Sequence, residues 1–309
     1  MDRSIKVENF FAQLRNGYID TKSQIGMPTR LMYSYVKNEE EIYHLKKNGF
    51  DINEKDASGK NALCFVKEDN FQLLIENGID IHNITNKGKN ILWYTKKEHI
   101  DYYLNNGVDI NHLNNKGENA LFSCKCNCAK EFLNKGINKN QINLNNENAL
   151  FYSQKYEKGL ILINEGLNLY QENNSGIFAF TRLSKNIDNL IKKGINFNLK
   201  NKNGVPAFFH MLSDIKLLHM KNVIDINEKS DKGNVLFSLN HLNINNPLKK
   251  YLINKNIDII DYYHSGMEKN KEILILMEKK FMEQTHKEKE ILFNILNEKK
   301  LSKTNKNRI

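Results

Sequence analysis

Three of the four cysteines lie close together, at Cys124, Cys126 and Cys128, and a thiol cluster of this kind could bind a soft metal ion. Structural zinc sites, however, place two to four residues between paired cysteines, whereas these three alternate along the chain. The fourth cysteine, Cys64, lies too far away to complete such a site. We therefore interpret the cysteines as reduced thiols packed between helices, and we predict no metal site.

The histidines and glycines do not indicate a catalytic or phosphate-binding site. The nine histidines are scattered, as at His44, His82, His112 and His210, and no serine or cysteine nucleophile motif accompanies them. The glycines do not form the pattern between a strand and a helix that cradles a phosphate group. We predict no active site and no cofactor, so the chain is not expected to be an enzyme.

The charge of the chain gives only a general hint about its partner. A formal net charge of +10 is spread over 46 basic and 36 acidic residues rather than gathered into one basic block. Near the C-terminal end, lysines and glutamates are interleaved from Glu278 to Lys300, as expected of a solvated helix face. Nucleic-acid binding through the basic surface stays open as an alternative, but it is not the partner that we expect.

A repeated mark dominates the sequence and must position any binding residues. It consists of a glycine, an apolar residue, Asp or Asn, and a second apolar residue. Its copies begin at Gly49, Gly78, Gly107, Gly136, Gly166 and Gly194, with two copies lacking the glycine at Val223 and Asn256. Successive copies are 29, 29, 29, 30, 28, 29 and 33 positions apart, so the unit is about 29 residues long.

Two helices are predicted in each unit. An asparagine precedes a short apolar stretch at Asn61, Asn90, Asn119 and Asn148, where its side-chain oxygen can cap the start of a helix. A second helix carries paired apolar residues and ends at the glycine of the next mark, which acts as a left-handed C-cap. One such helix pair cannot bury its own apolar face, so neighbouring units must stack.

At these residues the chain resembles the ankyrin-repeat family. The resemblance covers Gly26 to Ile260 and implies an all-α fold, an ankyrin-like helical solenoid of about eight short repeats with helical N- and C-terminal caps. The inner helix is about one turn shorter than in the family's unit, and Asn-Ala-Leu-Phe replaces Thr-Pro-Leu-His. Because phenylalanine cannot reproduce the family's histidine hydrogen bonds between repeats, apolar contact is expected to replace them. Trp93 occupies the position of Phe122 and is predicted to lie in the core rather than to anchor a partner.

Three regions follow from these patterns: an N-terminal cap helix at 1–25, the repeat array at 26–260, and a C-terminal helical cap with a basic tail at 261–309. No apolar stretch approaches the roughly 20 residues that span a bilayer, and the first residues are too polar for a secretory signal. We expect a cytoplasmic monomer.

In the ankyrin family, partners are held by the tips of the turns and by the exposed side of the inner helices. The resemblance carries this role to a row of turn residues in this chain. The predicted partner-binding residues are Ser58, Lys60, Asn86, Lys87, Lys89, Asn115, Lys116, Glu118, Asn145, Glu147, Lys202 and Asn203.

Short, asparagine-rich arrays with Asn-Ala-Leu-Phe marks resemble bacterial ankyrin-like immunity proteins of polymorphic toxin systems. The resemblance implies that the chain binds and neutralises a toxin or effector domain. A scaffold or effector that docks a host protein through the same face is the alternative from within the same fold. A toxin reading frame immediately upstream of the gene favours the first hypothesis, and an isolated gene favours the second.

Overall fold

A computed structural model describes residues 11–13, 29–66, 70–153, 155–241, 246–255, 257–259, 273–283 and 285–287. Within these ranges the regular secondary structure is helical and no β-strand occurs, which confirms the helical fold class. Two isolated β-bridges, Lys200 with Pro206 and Ser230 with Gly233, accompany the helices.

The described α-helices are short, as expected of a chain whose polar turns recur about every 29 residues. They are α1 (Thr29–Ser34), α2 (Glu39–Lys47), α3 (Phe71–Glu76), α4 (Ile100–Asn105), α5 (Cys126–Asn134), α6 (Tyr156–Asn164), α7 (Ile187–Lys192), α8 (Ile215–Met220), α9 (Val235–His241) and α10 (Asn246–Asn254). Short 3-10 helices span Ala62–Phe65, Ile91–Trp93, Lys97–His99, Ala120–Phe122, Ala149–Tyr152, Ala179–Arg182, Ser184–Asn186 and Ala207–His210. Residues 273–283 and 285–287 are also helical.

The chain divides into two compact units, Met1–Asn174 and Ser175–Ile309. The division falls within the region 26–260 that the sequence marks as one array, at the turn between two predicted repeats. Of the predicted N-terminal cap, the described residues 11–13 are helical, and the remainder of 1–25 lies outside the described residues. The predicted C-terminal cap is helical at 273–283 and 285–287, and its other residues also lie outside the described ranges.

The short inner helix predicted after the capping asparagine is a single 3-10 turn in most units, such as Ala120–Phe122. After Asn234 it is instead the α-helix Val235–His241. The predicted cap is confirmed at Asn119, whose side chain accepts a hydrogen bond from the Leu121 N–H, and likewise at Asn90 and Asn148. Asn61 forms no such bond. A 29-residue unit leaves too few residues here for an α-helical turn, and the tighter 3-10 geometry fits the space.

The ends of the outer helices confirm the left-handed C-cap and correct one repeat boundary. Gly136 has φ 82°, and the N–H groups of Gly136 and Ile137 donate to carbonyls in the last turn of α5. Sequence comparison placed Val223 at the equivalent position, but the structure places Asn222 there, with φ 55° and its N–H bonded to the His219 carbonyl. One inserted residue separates this cap from Asp225. Asparagine tolerates the left-handed conformation better than other residues with a side chain, so the cap survives without glycine.

Hydrogen bonds between repeats are retained, contrary to the expectation that apolar contacts replace them. The Asn119 amide that caps its own 3-10 turn also donates through Nδ2 to the Asn138 carbonyl of the next unit, at 2.8 Å. Asn90 and Asn148 make the same pair of bonds. One planar amide therefore joins two repeats because it can accept and donate at once.

The core lies between the 3-10 turns and the outer helices. Leu121, Phe122 and Phe132 are buried, and so are Leu150 and Phe151 at the equivalent positions of the next 3-10 turn. Trp93, predicted to occupy the core position of Phe122, is only half-buried. Its ring meets His112 edge-on, with the ring centroids 6.0 Å apart.

Candidate interaction surface

Each predicted site residue stands in or beside a polar turn closed by one side chain. In the turn at Asn114, the side-chain oxygen accepts from the backbone N–H groups of Lys116 and Glu118, at 2.8 and 3.1 Å. The backbone closes the same turn, because the Asn114 N–H donates to the Glu118 carbonyl and the Gly117 N–H donates to the Asn114 carbonyl. Asp56, Asn143 and Asn201 close their turns in the same manner. Such turns hold their tips in one conformation.

In the compact unit Met1–Asn174, the turns of successive repeats are bonded to one another through their backbones. The Asn86 N–H donates to the Ser58 carbonyl at 3.0 Å, and the Asn115 N–H donates to the Lys87 carbonyl at 3.1 Å. The series continues from Leu144 to Lys116 and from Asn174 to Asn145. We call this series, at 57–58, 86–87, 115–116, 144–145 and 174, the turn ladder. It converts five separate loops into one continuous surface.

The structure brings ten of the twelve predicted site residues together along this turn ladder. The two others, Lys202 and Asn203, lie on an exposed turn of the second unit. At the tips of the first unit, the side chains of Lys87, Lys116 and Asn145 are exposed.

Two predicted contact residues have a structural task as well. The Asn86 amide donates to the Ala57 carbonyl at 2.9 Å, and the Asn115 amide donates to the Asn86 carbonyl at 3.0 Å. These side chains reinforce the turn ladder, so their loss would disturb the turns as well as any contact with a partner.

Lysines gather beside the first three turns. The Lys60 ammonium lies 5.5 Å from the centre of the Phe65 ring and 5.0 Å from that of Tyr94, within cation–π range. Partial burial lowers the pKa of Lys89, and the positive charges of Lys87, Lys60 and Lys116 lower it further against the opposing effect of Glu118. The other three lysines are therefore close enough to Lys89 to repel its ammonium group. Within the described residues, none of them forms an ion pair shorter than 4 Å.

The two predicted carboxylates are already engaged by the protein. Glu118 is buried and accepts a hydrogen bond from the Asn114 amide at 2.8 Å. Glu147 accepts from the Tyr152 hydroxyl at 2.6 Å and from the Asn173 amide at 2.9 Å. Burial, together with the neighbouring Glu147 carboxylate, raises the pKa of Tyr152 above its usual range. These carboxylates hold the turns together and form no ion pair with Lys87 or Lys116 at the tips.

An exposed aliphatic stripe on the turns was missed by the sequence analysis. Ile84, Leu113 and Ile142 are 42%, 43% and 43% exposed, and each directly precedes the residue that closes its turn. Leu144, beside the tip of the fourth turn, is 75% exposed. Aligning the repeats with one another would have shown the stripe. Three consecutive repeats have an aliphatic residue at this position, whereas other repeats have Lys55, Glu172 or a later lysine there.

Three cysteines can be described as free thiols, and the surroundings of one of them perturb its pKa. Cys64, Cys124 and Cys128 are free thiols, and burial raises the pKa of Cys64 to about 12. A thiol with so high a pKa is a poor nucleophile at neutral pH. No group of three or more histidine, cysteine or acidic residues lies within metal-binding reach among the residues described.

No helix within the described ranges is both long and apolar enough to cross a membrane. No protein-family model matches the chain, and no curated protein matches it either.

Proposed function

We propose that the chain is an ankyrin-like solenoid of about eight short repeats that binds another protein through the turn ladder. The observation that carries the proposal is the backbone bonding from Ser58 through Asn174, which aligns five exposed turn tips. Repeats that each contact only their neighbours build extended surfaces of this kind.

Rigidity favours such a surface as a binding site. Each tip is held by its own turn, as at Asn114 and Asn143, and by a bond to the next turn. Binding through loops that are already ordered costs little conformational entropy, so more of the contact energy contributes to affinity. The surface is thus suited to a tight complex rather than to a chemical reaction.

The specific role that we propose is that of an immunity protein, which neutralises a toxin by binding it in the cytoplasm as a monomer. Support comes from the asparagine-capped Asn-Ala-Leu-Phe marks, which resemble those of ankyrin-like immunity proteins, and from the pre-ordered turns that suit a tight inhibitor. A scaffold or effector that docks a host protein would use the same turns, so the genomic neighbour separates the two roles.

The experiment expresses the reading frame immediately upstream of this gene, alone and together with this chain. We expect growth arrest in the first case, recovery in the second, and co-elution of the two proteins in size-exclusion chromatography with light scattering. A neighbour that is harmless, or whose toxicity persists with the chain present, refutes the immunity role. The variant Lys87→Glu with Lys116→Glu should weaken the rescue, whereas Lys185→Glu, at an exposed lysine of the unit Ser175–Ile309 that is not among the predicted site residues, serves as the control.

The lysines beside Lys89 give nucleic-acid binding a specific observation in its favour. A surface that neutralises phosphates loses affinity steeply as salt concentration rises. If no RNA or DNA probe is retained at physiological salt, this second function is excluded.

A further inference from the structure

The aliphatic stripe of Ile84, Leu113 and Ile142 lies on the surface of three successive turns. Each side chain is about two-fifths exposed on a turn whose neighbours are polar, and three successive repeats preserve the position. Single exposed aliphatic residues are ordinary, but an aligned series indicates a surface that contacts something apolar.

The lysines lie in the same turns as the stripe. Lys87 follows Ile84 by three residues, and Lys116 follows Leu113 by three residues. The Lys116 carbonyl also accepts the N–H of Leu144, the most exposed aliphatic residue of the turn ladder. The stripe is therefore bordered by positive charge that no carboxylate pairs with within the described residues.

Charge and chemistry restrict what can cover this surface. A second copy of the chain, itself carrying +10, would bring like charges together at the lysines. A nucleic acid or another polyanion would satisfy the lysines but would leave the aliphatic side chains without a partner. An acidic protein segment with aliphatic side chains satisfies both.

The spacing further specifies the segment. Packed helices of neighbouring repeats lie about 8–10 Å apart. A polyproline II segment advances about 3.1 Å per residue and returns a side chain to the same face every three residues, so along the turn ladder it would present one side chain to each stripe position.

We propose that the turn ladder binds an acidic segment of a partner protein in the polyproline II conformation, whose aliphatic side chains, at about every third position, contact Ile84, Leu113 and Ile142. The proposal rests on the protein-binding function above and names the chemistry of its partner. The acidic side chains contact Lys87 and Lys116, and this pairing fixes the position of the segment along the turn ladder.

The test measures binding of a fluorescent peptide of Asp-Asp-Val triplets by anisotropy, with the full chain as titrant. Aspartate and valine are weak helix formers, so the peptide stays extended. We expect saturable binding at least about tenfold tighter than that of an Asp-Asp-Ser peptide, a ratio equivalent to about 1.4 kcal/mol. A Lys-Lys-Val peptide should not bind.

Two sets of variants locate the site. Ile84→Ser, Leu113→Ser and Ile142→Ser together, and Lys87→Glu with Lys116→Glu, should each weaken binding at least about tenfold. Leu217→Ser with Met220→Ser changes exposed apolar residues of α8 in the second unit and should leave binding unchanged. Far-ultraviolet circular dichroism confirms that each variant is folded.

Several outcomes overturn the proposal: no saturable binding, equal affinity for the Asp-Asp-Ser peptide, equal affinity for an oligo-dT strand, or unchanged binding by both variant sets. Equal binding of oligo-dT would identify a polyanion surface instead. Toxin neutralisation without peptide binding would remove this proposal alone. Specific peptide binding without neutralisation would remove the immunity role and leave the surface assignment intact.

Discussion

Asn119 joins two repeats through one side chain, and its removal gives the sharpest test of the fold. Its oxygen accepts from the Leu121 N–H at 3.2 Å, and its nitrogen donates to the Asn138 carbonyl at 2.8 Å. The residue is 1% exposed. Loss of an N-cap costs about 1 kcal/mol, and loss of a further buried hydrogen bond costs about 1 to 1.5 kcal/mol. Asn119→Ala should therefore lower the free energy of unfolding by about 2 to 2.5 kcal/mol.

The chain supplies its own control for this experiment. Asn61 is equally buried and donates to the Asp80 carbonyl at 2.8 Å, but its side chain does not cap the following turn. Asn61→Ala should consequently cost the bond between repeats and a weak, 3.9 Å contact from the Cys64 thiol to the Asn61 oxygen, together about 1 to 1.5 kcal/mol. The difference between the two variants isolates the cap. Asn119→Ser, which keeps an acceptor but cannot reach the next repeat, should lie between Asn119→Ala and the unsubstituted protein.

Urea unfolding followed by tryptophan fluorescence is the appropriate assay. The chain has one tryptophan, Trp93, and it lies in the first unit, which also holds Asn61 and Asn119. Its signal therefore reports the unit that is being perturbed. If Asn119→Ala costs no more than Asn61→Ala, the idea that one amide both caps and connects is refuted.

Three further changes address the turns, a buried lysine and a helix end. Gly88→Ala should destabilise the compact unit Met1–Asn174 by about 3 kcal/mol in the same assay, and Gly136→Ala by about 1 kcal/mol. Both glycines have positive φ, which strains an alanine. Of the two sites, only Gly88 would also place the new Cβ against backbone, 2.8 Å from the Asn115 nitrogen. Burial lowers the pKa of Lys158, so between its folded-state pKa and 10.5 the unfolded state binds more protons and stability rises with pH. Urea midpoints across this range should rise more for the unsubstituted protein than for Lys158→Met, and parallel curves would contradict the assignment. Asn222→Ala should lower the free energy of unfolding by about 1 kcal/mol, because alanine is strained in the left-handed conformation, whereas Asn222→Gly should not lower it. Equal melting temperatures of the two variants by circular dichroism would contradict the left-handed cap at this residue.

Features that depend on neighbours in the chain were predictable. The glycine of each mark ends a helix in the left-handed conformation because this preference is a property of the residue itself, as at Gly136. The caps at Asn90, Asn119 and Asn148 follow from the reach of an asparagine side chain to the amide two residues later. Asn61 is an exception, because its side chain does not cap the following turn. Nothing in the adjacent residues predicts this difference.

Features that depend on the next repeat were not predictable in detail. The second bond of Asn119 was not foreseen, because its acceptor at Asn138 belongs to another unit. The burial of Glu118 was missed for the same reason, since its sequence position beside a glycine suggested an exposed tip. Compared with the site predicted from the sequence, the surface in the structure lacks the exposed carboxylate of Glu118 and includes the aliphatic stripe.

The sequence by itself determined the unit: its length of about 29 residues, its helical class, its left-handed glycines and the asparagine before four of the 3-10 turns, at Asn61, Asn90, Asn119 and Asn148. These properties arise from backbone preference and short-range hydrogen bonding, which a repeated pattern displays directly. Only the tertiary structure decided how the turns join, because the bonds from Asn86 to Ser58 and from Asn115 to Lys87 connect residues that only folding brings together. Folding also decided which polar side chains hold the turns and which remain available to a partner.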